Sequence, residues 1–449
     1  MKNSVLSIIF LIFSTGIINA QDTLKLNFND AVNMALNNNI QLQQEKNNLQ
    51  SAQATNLGNK ALFLPSIGAG SNFQYQTGIQ FNQLTGQLYT ATSRGAGLGI
   101  QADYTVFNGF GRINRIRNSQ LLLESQQNNV NYASQEVIYT VAQQFLQVLL
   151  DRELLRIDNE NLNTQKITLN QIDGFVQAGS KPLGDKLTQE ALVKKLEVTR
   201  IQDENKLRMD IALLSQTLML DPGKQIDIRE PEWGFDKVLA QDFNLVELYD
   251  KALENRPDYK KSMDDASAAQ AAVAIAKSNY YPTLGVSYNY GSGYTSNYLD
   301  SNGEIVPFKD QLQRNRSSTL GVSLSIPIFN QLSTVTQVTR QKVIQENYEL
   351  IKKNLKSKIF QDVQTTYLNL VAAKNEYFAT QSQYDAAVEA QKIQQESYEL
   401  GASDLVQLSQ ANQTYVEAAA SRIQSQYRLI FQRVMLEYST GTLTLDNMN

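Results

Sequence analysis

The stretch Leu64-Pro65-Ser66-Ile67-Gly68 recurs later in the chain as Tyr281-Pro282-Thr283-Leu284-Gly285. Upstream, Ala35-Leu36-Asn37-Asn38-Asn39 recurs as Ala252-Leu253-Glu254-Asn255-Arg256 at the same separation of 217 residues. A repeated order of segments at a fixed separation indicates an internal duplication, which decides the fold of the whole chain. The sequence therefore predicts two structural repeats.

Each repeat contains two segments in which apolar residues alternate with small polar ones. In one of them Leu320, Val322 and Leu324 alternate with Gly321 and Ser323. This pattern is typical of a transmembrane β-strand with lipid on one face and water on the other. A half-buried strand of a soluble sheet gives the same alternation, so periodicity alone leaves both interpretations open. We expect strands at about 66–77, 95–107, 283–294 and 317–329.

Aromatic residues cluster where these segments meet the helical parts of the chain. Aromatic side chains that lie at one level of a sheet are typical of a membrane–water interface. We therefore expect an aromatic girdle formed by Phe63, Phe107, Tyr280, Tyr281 and Phe329.

Helices of unusual length follow each strand pair. The stretches from Ile113 to Val176 and from Val335 to Leu400 contain no proline. About 65 residues of helix, at 1.5 Å per residue, span about 100 Å, which is far longer than helices of globular domains. A narrow apolar seam within polar surroundings favours helices packed side by side in a layer.

The chain divides in sequence as follows. Residues 1–20 have a positive start, an apolar run and a small residue before Gln21, which predicts a secretory signal peptide. Residues 21–223 form the first repeat, 224–243 a connector, 244–440 the second repeat and 441–449 a tail. Beyond residue 20 the chain lacks an apolar stretch of 18 residues, so that a membrane location would require a β-barrel.

Composition excludes several classes of function. The 449 residues contain neither cysteine nor histidine and carry a net charge of −4. The chain therefore lacks the side chains of a Ser-His-Asp triad, a cysteine nucleophile and the common zinc sites, and we expect neither a metal nor another cofactor. The acidic balance argues against a nucleic-acid partner. Asp264 and Asp265 are the obvious adjacent acids for an enzyme, but an exposed helix face accounts for them, and we expect no enzymatic activity.

Three features occur once in each repeat: the Pro-containing strand opening, a Phe-Asn strand exit at Phe107-Asn108 and Phe329-Asn330, and a helix turn at Gly179 and Gly401. On these features the chain resembles the TolC family of outer-membrane efflux proteins. The likeness covers residues 22–445. It implies a mixed α/β membrane channel in which a long α-helical barrel is continuous with a transmembrane β-barrel. It further implies a homotrimer, each chain giving four strands to a barrel of twelve. Four strands cannot close a barrel alone, which independently favours oligomerisation.

The same resemblance implies a location, partners and a function. The channel would lie in the outer membrane of a Gram-negative bacterium, in contact with its lipid, with the tunnel extending into the periplasm. A periplasmic adaptor protein and an inner-membrane pump would dock on it. The function would be passive: an exit duct for small molecules or proteins in tripartite efflux or type I secretion. The alternative is an envelope coiled-coil protein, structural or adhesive, without a channel.

The resemblance also implies a gate at the periplasmic tip, where the turns at Gly179 and Gly401 would meet the adaptor. In the family pattern an aspartate follows the turn glycine by six residues. Asp185 matches this position in the first repeat, whereas the second repeat has Gln407 there and Gln410 one turn later. Asp404 is the nearest acid that could replace them. Its position also suits an N-cap of the following helix.

Overall fold

The computed structural model describes residues 24–82, 86–221, 223–224, 226–229, 239 and 242–444. The expected signal peptide, most of the connector and the end of the tail lie outside these residues. The described part is mostly helical, with one four-stranded and one two-stranded sheet. None of its helices combines the length and apolar content needed to cross a membrane.

Eight of the described helices form four pairs of equal length, and one short helix stands apart. The pairs have 11, 22, 67 and 35 residues: α1 Phe28–Asn38 and α5 Leu245–Asn255; α2 Ile40–Ala61 and α6 Pro257–Ser278; α3 Gly111–Gln177 and α8 Ser333–Glu399; α4 Leu183–Thr217 and α9 Leu405–Ser439. The short helix is α7, Phe308–Arg314.

The strands belong to two sheets. Strand β1, Leu24–Leu26, pairs in parallel with β4, Ile226–Ile228, inside the segment expected to be only a connector. The larger sheet is antiparallel with the order β2-β3-β5-β6. Its strands are β2 Ser66–Asn82, β3 Gln87–Asn108, β5 Thr283–Thr295 and β6 Ser317–Ser325.

Three strand bounds differ from the expected ones: the end of β2, the start of β3 and the end of β6. The first hairpin is longer than expected, because β2 and β3 stay paired up to Asn82 and Gln87. Strand β6 ends at Ser325, four residues before the expected end. Pro327 explains the early end, since proline has no N–H to donate to a neighbouring strand.

The register of the larger sheet gives it two unlike faces. Val286 lies opposite Val322, and Ile100 lies opposite Tyr290, so apolar residues share one face. This face is exposed within the chain, with Val322 at 68% of its full accessibility. The other face carries mainly glycine, serine, threonine, asparagine and glutamine.

The chain comprises two compact units. The first consists of Met1–Gln43, Ala133–Asn255 and Phe360–Asn449. Its core includes Phe145, which is fully buried and meets the ring of Phe28 edge-on at 5.5 Å between centroids. A buried phenylalanine contributes about 3–5 kcal/mol to stability relative to alanine.

The second unit consists of Gln44–Tyr132 and Arg256–Ile359, and it contains the larger sheet. Helix α6 buries an alanine-rich face in it, including Ala269 and Ala276. Polar contacts supplement this thin apolar packing: Asn118 donates to the carbonyl of Ala268 at 2.7 Å, and Asn128 donates to the Asp264 carboxylate at 2.8 Å. The small side chains of α6 allow close approach, and the two hydrogen bonds fix which residues of α3 and α6 face each other.

Strand β3 passes into helix α3 through a two-residue turn that depends on Gly109. This glycine has φ +63°, and Phe110 follows with φ 67°. A Cβ atom on Gly109 would lie 2.5 Å from the carbonyl oxygen of Ser278 and 2.6 Å from Cβ of Tyr281. Only glycine fits both the backbone conformation and this close approach.

We expect Gly109→Ala to destabilise the protein by more than the 1–2 kcal/mol of a left-handed alanine alone, because the methyl group also displaces backbone. Gly303→Ala is the matched control: Gly303 has φ +81° but an added Cβ meets nothing within 4 Å. Thermal unfolding of the two purified variants tests the difference. Equal losses of stability would contradict the steric argument.

Candidate functional site

The two helix turns expected at the periplasmic tip have the same backbone design. Gly179 and Gly401 have φ of 71° and 76° and end helices α3 and α8. At the first turn Ser180 N–H donates to the carbonyl of Phe175 at 2.9 Å, and Gly179 N–H donates to that of Val176 at 3.0 Å. These are the two hydrogen bonds of a Schellman motif, which closes a helix end through a left-handed residue.

The turns pack against each other through a small apolar cluster in the first unit. Ile172 of α3, Tyr398 of α8 and Leu405 and Leu408 of α9 are buried together. The ammonium group of Lys181 lies 4.3 Å from the centroid of the Tyr398 ring, a cation–π contact between the two turns. The tip is therefore one packed structure, and the Lys181–Tyr398 contact was not foreseen from the sequence.

The polar residues expected at the gate have different local roles. Asp404 caps α9, because its carboxylate accepts a hydrogen bond from the backbone N–H of Gln407 at 2.8 Å. The Gln407 side chain accepts from the Ser403 hydroxyl at 2.8 Å, and Gln410 is exposed on the next turn. Asp185 lies in the first turn of α4 and makes neither a hydrogen bond through its side chain nor an ion pair with any described residue.

We expect Asp404→Ala to cost about 1 kcal/mol of stability, because it removes the N-cap of α9. Asp404→Asn keeps an oxygen that can accept from Gln407 and should cost much less. Thermal unfolding of both variants checks this comparison. If the two variants are equally unstable, the cap is not what Asp404 contributes to the fold.

Helices α3 and α4 meet along a seam with polar and charged pairs. The buried Gln189 amide donates to the side-chain oxygen of Gln165 at 2.8 Å. Nearer the middle, Lys166 and Glu197 form an ion pair at 3.2 Å. Further along, buried Asp151 accepts from Lys206. These contacts set the antiparallel register of the two helices.

In this register Asp158 of α3 faces Asp203 of α4. Burial is the largest cause that raises the pKa of Asp158 to about 7, followed by the neighbouring Asp203 carboxyl, whose negative charge disfavours a second ionised group. Seven residues away, burial followed by the neighbouring Asp210 carboxyl raises the pKa of Asp151 to about 6, although Lys206 opposes the shift.

At the matching level, the seam between α8 and α9 has a neutral pair instead, and one turn away Arg428 of α9 forms an ion pair with Glu376 of α8 at 2.9 Å. Thr380 and Ser425 share a hydrogen bond at 2.6 Å. Thr380 and Ser425 follow Asp158 and Asp203 by 222 residues, and Phe329-Asn330 follows Phe107-Asn108 by the same number. The two pairs therefore occupy equivalent positions in the two repeats. Sequence reasoning missed the acid pair, although an alignment of the two repeats along their helices would have revealed it. We therefore expect a titrating group near neutral pH at this level of the α3–α4 pair and none at the matching level of the α8–α9 pair.

We expect the α3–α4 pair to be more stable at pH 5 than at pH 8. The pKa of Asp158 is raised on folding, so its stabilising contribution is complete below its unfolded pKa, near 3.8, and is lost as the pH rises through about 7. Asp158→Asn removes the titrating group itself and should therefore remove most of this dependence, whereas Asp203→Asn should only reduce it, because burial remains. Amide hydrogen exchange of α3 and α4, corrected for intrinsic rates, is the measurement.

The matched control for this prediction is Ser425→Ala in the α8–α9 seam. It removes a neutral hydrogen bond, so exchange in α8 and α9 should accelerate by the same factor at both pH values. Retention of the full pH dependence in Asp158→Asn would show that another group is responsible.

The expected aromatic girdle lies in the second unit, at the ends of strands and helices. Phe63, Tyr280, Tyr281 and Phe329 are exposed, whereas Phe107 is half-buried against the ring of Phe110, 5.3 Å away and edge-on. A register shift after Thr105 places Phe107 opposite Leu284, on the apolar face of the sheet.

Arg112 organises this junction without a carboxylate partner among the described residues. It is 7% exposed, and its guanidinium donates to the carbonyls of Leu62 and Val106, both at 3.0 Å. Its central carbon lies 4.7 Å from the ring centroid of Phe63 and 5.3 Å from that of Tyr104. The charge is thus stabilised by carbonyl dipoles and aromatic faces.

The model of the outer membrane efflux protein family matches residues 31–218 and 248–442 of this chain. The match includes both pairs of long helices and the larger sheet. The chain therefore belongs to the outer membrane efflux protein family, and it is a protein of the Gram-negative outer membrane. This family consists of channel-forming proteins rather than enzymes.

Two relatives are similar over most of the chain. The pyoverdine export outer membrane protein OpmQ of Pseudomonas aeruginosa is 25% identical over 73% of this chain, although the match spans only 65% of that protein. The outer membrane efflux protein BepC of Brucella suis is 21% identical over 78% of this chain and 73% of its own length.

Solved structures agree in fold. The outer membrane protein VceC of Vibrio cholerae superposes with a TM-score of 0.78 at 14% identity, covering 92% of this chain and 96% of that one. The CmeC outer membrane channel of Campylobacter jejuni gives 0.76 at 15% identity, over 92% and 85%. At such low identity these likenesses establish the fold alone.

Proposed function

We propose that this chain is the outer-membrane exit duct of a tripartite efflux or type I secretion system. Small molecules or proteins would leave the cell through it passively, driven by an inner-membrane pump and guided by a periplasmic adaptor. The observation that carries the proposal is the exposed apolar face of the larger sheet. In a member of an outer-membrane family, such a face suits contact with lipid.

The dimensions of this apolar face suit a membrane. On β3 it runs from Ala96 to Phe107, and Arg94 interrupts it at one end. The eleven steps between these residues, at about 3.3 Å each and tilted by about 40°, rise about 28 Å, close to the apolar band of outer-membrane barrels. The exposed aromatic residues Phe63, Tyr280, Tyr281 and Phe329 would form the girdle at the opposite, periplasmic end.

The sheet has two outer strands, β2 and β6, each paired on one side only within the chain. Unpaired backbone groups are not tolerated in hydrocarbon, so β2 must pair with β6 of another copy. Three copies would supply twelve strands, an even number in the range of bacterial barrels. The equal lengths of the helix pairs support a matching α-helical barrel made of two repeats per chain.

The tip would be the gate and the surface that the adaptor contacts. Asp185 has no bonded partner among the described residues, and Asp404 uses one carboxylate oxygen as a cap, which leaves the other for the aperture. Three copies of both acids would favour cations there. Gln407 and Gln410 follow Asp404 on α9 and would continue the polar lining.

The alternative, an envelope coiled-coil protein without a channel, explains the 67-residue helices. It leaves the four-stranded sheet and its exposed apolar face unexplained. Native mass spectrometry of the detergent-solubilised protein separates the two functions: a trimer supports the duct, whereas a water-soluble monomer or dimer supports the alternative.

Neighbouring residues of β6 provide a test of the barrel. Val322→Arg puts a charge on the proposed lipid face and should cost about 2–4 kcal/mol near the bilayer midplane. Ser323→Arg, on the opposite face, should be tolerated. The yield of folded trimer in outer-membrane fractions is the measurement, and equal yields would refute the assignment of faces.

The gate can be tested by conductance. Asp185→Asn together with Asp404→Asn removes both charges and preserves the cap, so the channel should assemble normally and show a weaker preference for potassium over chloride. Reversal potentials in planar bilayers under a salt gradient measure this preference. An unchanged potential would exclude both residues from the gate.

A further inference from the structure

The polar face of the larger sheet carries a single charged residue among its described strand positions. Along β2, β3, β5 and β6 this face consists of glycine, serine, threonine, asparagine and glutamine, with one tyrosine and one alanine. The exception is Asp103. The other charged strand residue, Arg94, belongs to the apolar face, opposite Tyr75.

Asp103 lies near the end of β3 that leads into helix α3. It is placed between Ser66 of β2 and Ser287 of β5, which are its cross-strand partners. The Gln101 amide donates to one carboxylate oxygen of Asp103 at 2.8 Å, which orients the carboxylate along the strand. The side chain is exposed, and its second oxygen accepts no hydrogen bond from a described residue.

The polar face of the sheet is bordered by a groove. The groove has a volume of about 690 Å³ and is lined by Asp103, Gln101 and Asn289 together with several of the glycines. Because the glycines carry no side chain the groove is wide, and the carboxylate projects into it beside the neutral side chains of Gln101 and Asn289.

A neutralising cation for Asp103 is absent from this face. Lysine and arginine do not occur on it at any described strand position. Other copies of the chain would bring the same strands and therefore further carboxylates at the same level, but no cation. The charge stays uncompensated in an assembled barrel.

From this arrangement we propose that Asp103 is a charge filter at the base of the β-barrel, which favours cationic over anionic solutes independently of the tip. The inference rests on the proposed channel function. In a trimer, three carboxylates would face a common lumen within an otherwise neutral wall. Their attraction would act on the solute in addition to that of the acids at the gate.

The range of the filter depends on salt. The Debye length is about 10 Å at 0.1 M ionic strength and about 3 Å at 1 M. A carboxylate on the wall of a wide lumen therefore influences passing ions at 0.1 M and is screened at 1 M. Selection by size would not change between these conditions.

The test uses the trimer in planar bilayers with potassium chloride gradients centred near 0.1 M. In the background Asp185→Asn with Asp404→Asn, the remaining preference for potassium should be lost on adding Asp103→Asn. Asp103→Lys should reverse it in favour of chloride. Both effects should fade near 1 M. The control is Glu254→Gln, the same loss of charge at an exposed position of α5, which should leave the reversal potential unchanged.

The outcomes are distinct. If Asp103→Asn and Asp103→Lys leave the reversal potential of the background unchanged, or if the background is already unselective, Asp103 is not a filter while the channel itself stands. If the unaltered chain forms no ion-conducting trimer, the proposed function fails first.

Discussion

Backbone hydrogen bonding at the two outer strands is the constraint on which the rest of the architecture depends. Strands β2 and β6 each leave one row of N–H and C=O groups unpaired within the chain. In water this row would be solvated, but against hydrocarbon each unpaired group costs several kcal/mol. The exposed apolar face of the sheet is suited to contact with hydrocarbon rather than with water. In the proposed channel, oligomerisation would be part of folding, because one copy cannot satisfy the backbone hydrogen bonds of its two outer strands.

The helical part solves a different problem, since its helices have water on most sides. It relies on narrow apolar seams and on polar pairs rather than on a thick core. Each polar pair contributes little to stability alone, about 1 kcal/mol. Their positions matter more, because a slip of the register would leave Gln189 or Asp151 buried without partners. The two seams share one register but differ in charge, Asp158 with Asp203 against Thr380 with Ser425.

The sequence predicted the features that follow from periodicity and from the two copies of each segment. The long helices, the alternating strands and the glycine turns were all visible, and the family model confirms the resemblance. The pairing of β1 with β4 was not predictable, because a three-residue strand lacks a measurable period. Side-chain partners across seams, such as Lys181 with Tyr398, depend on helix packing that one sequence does not reveal. The cap at Asp404 was foreseen from its spacing to Gly401; its part in a gate remains a proposal.

The glycine-rich polar face has a consequence for biogenesis. Glycine weakens isolated strands, and a strand with few side chains on one face has little in water to fix its pairing. The opposite face displays Phe73, Ile100 and Val322, which adhere to any apolar surface. If the chain forms the proposed channel, it would have to cross the aqueous periplasm before its strands can pair in the bilayer, and it would be most prone to aggregation at that stage. Shielding of these segments before insertion would then limit the yield as much as the stability of the assembled protein does.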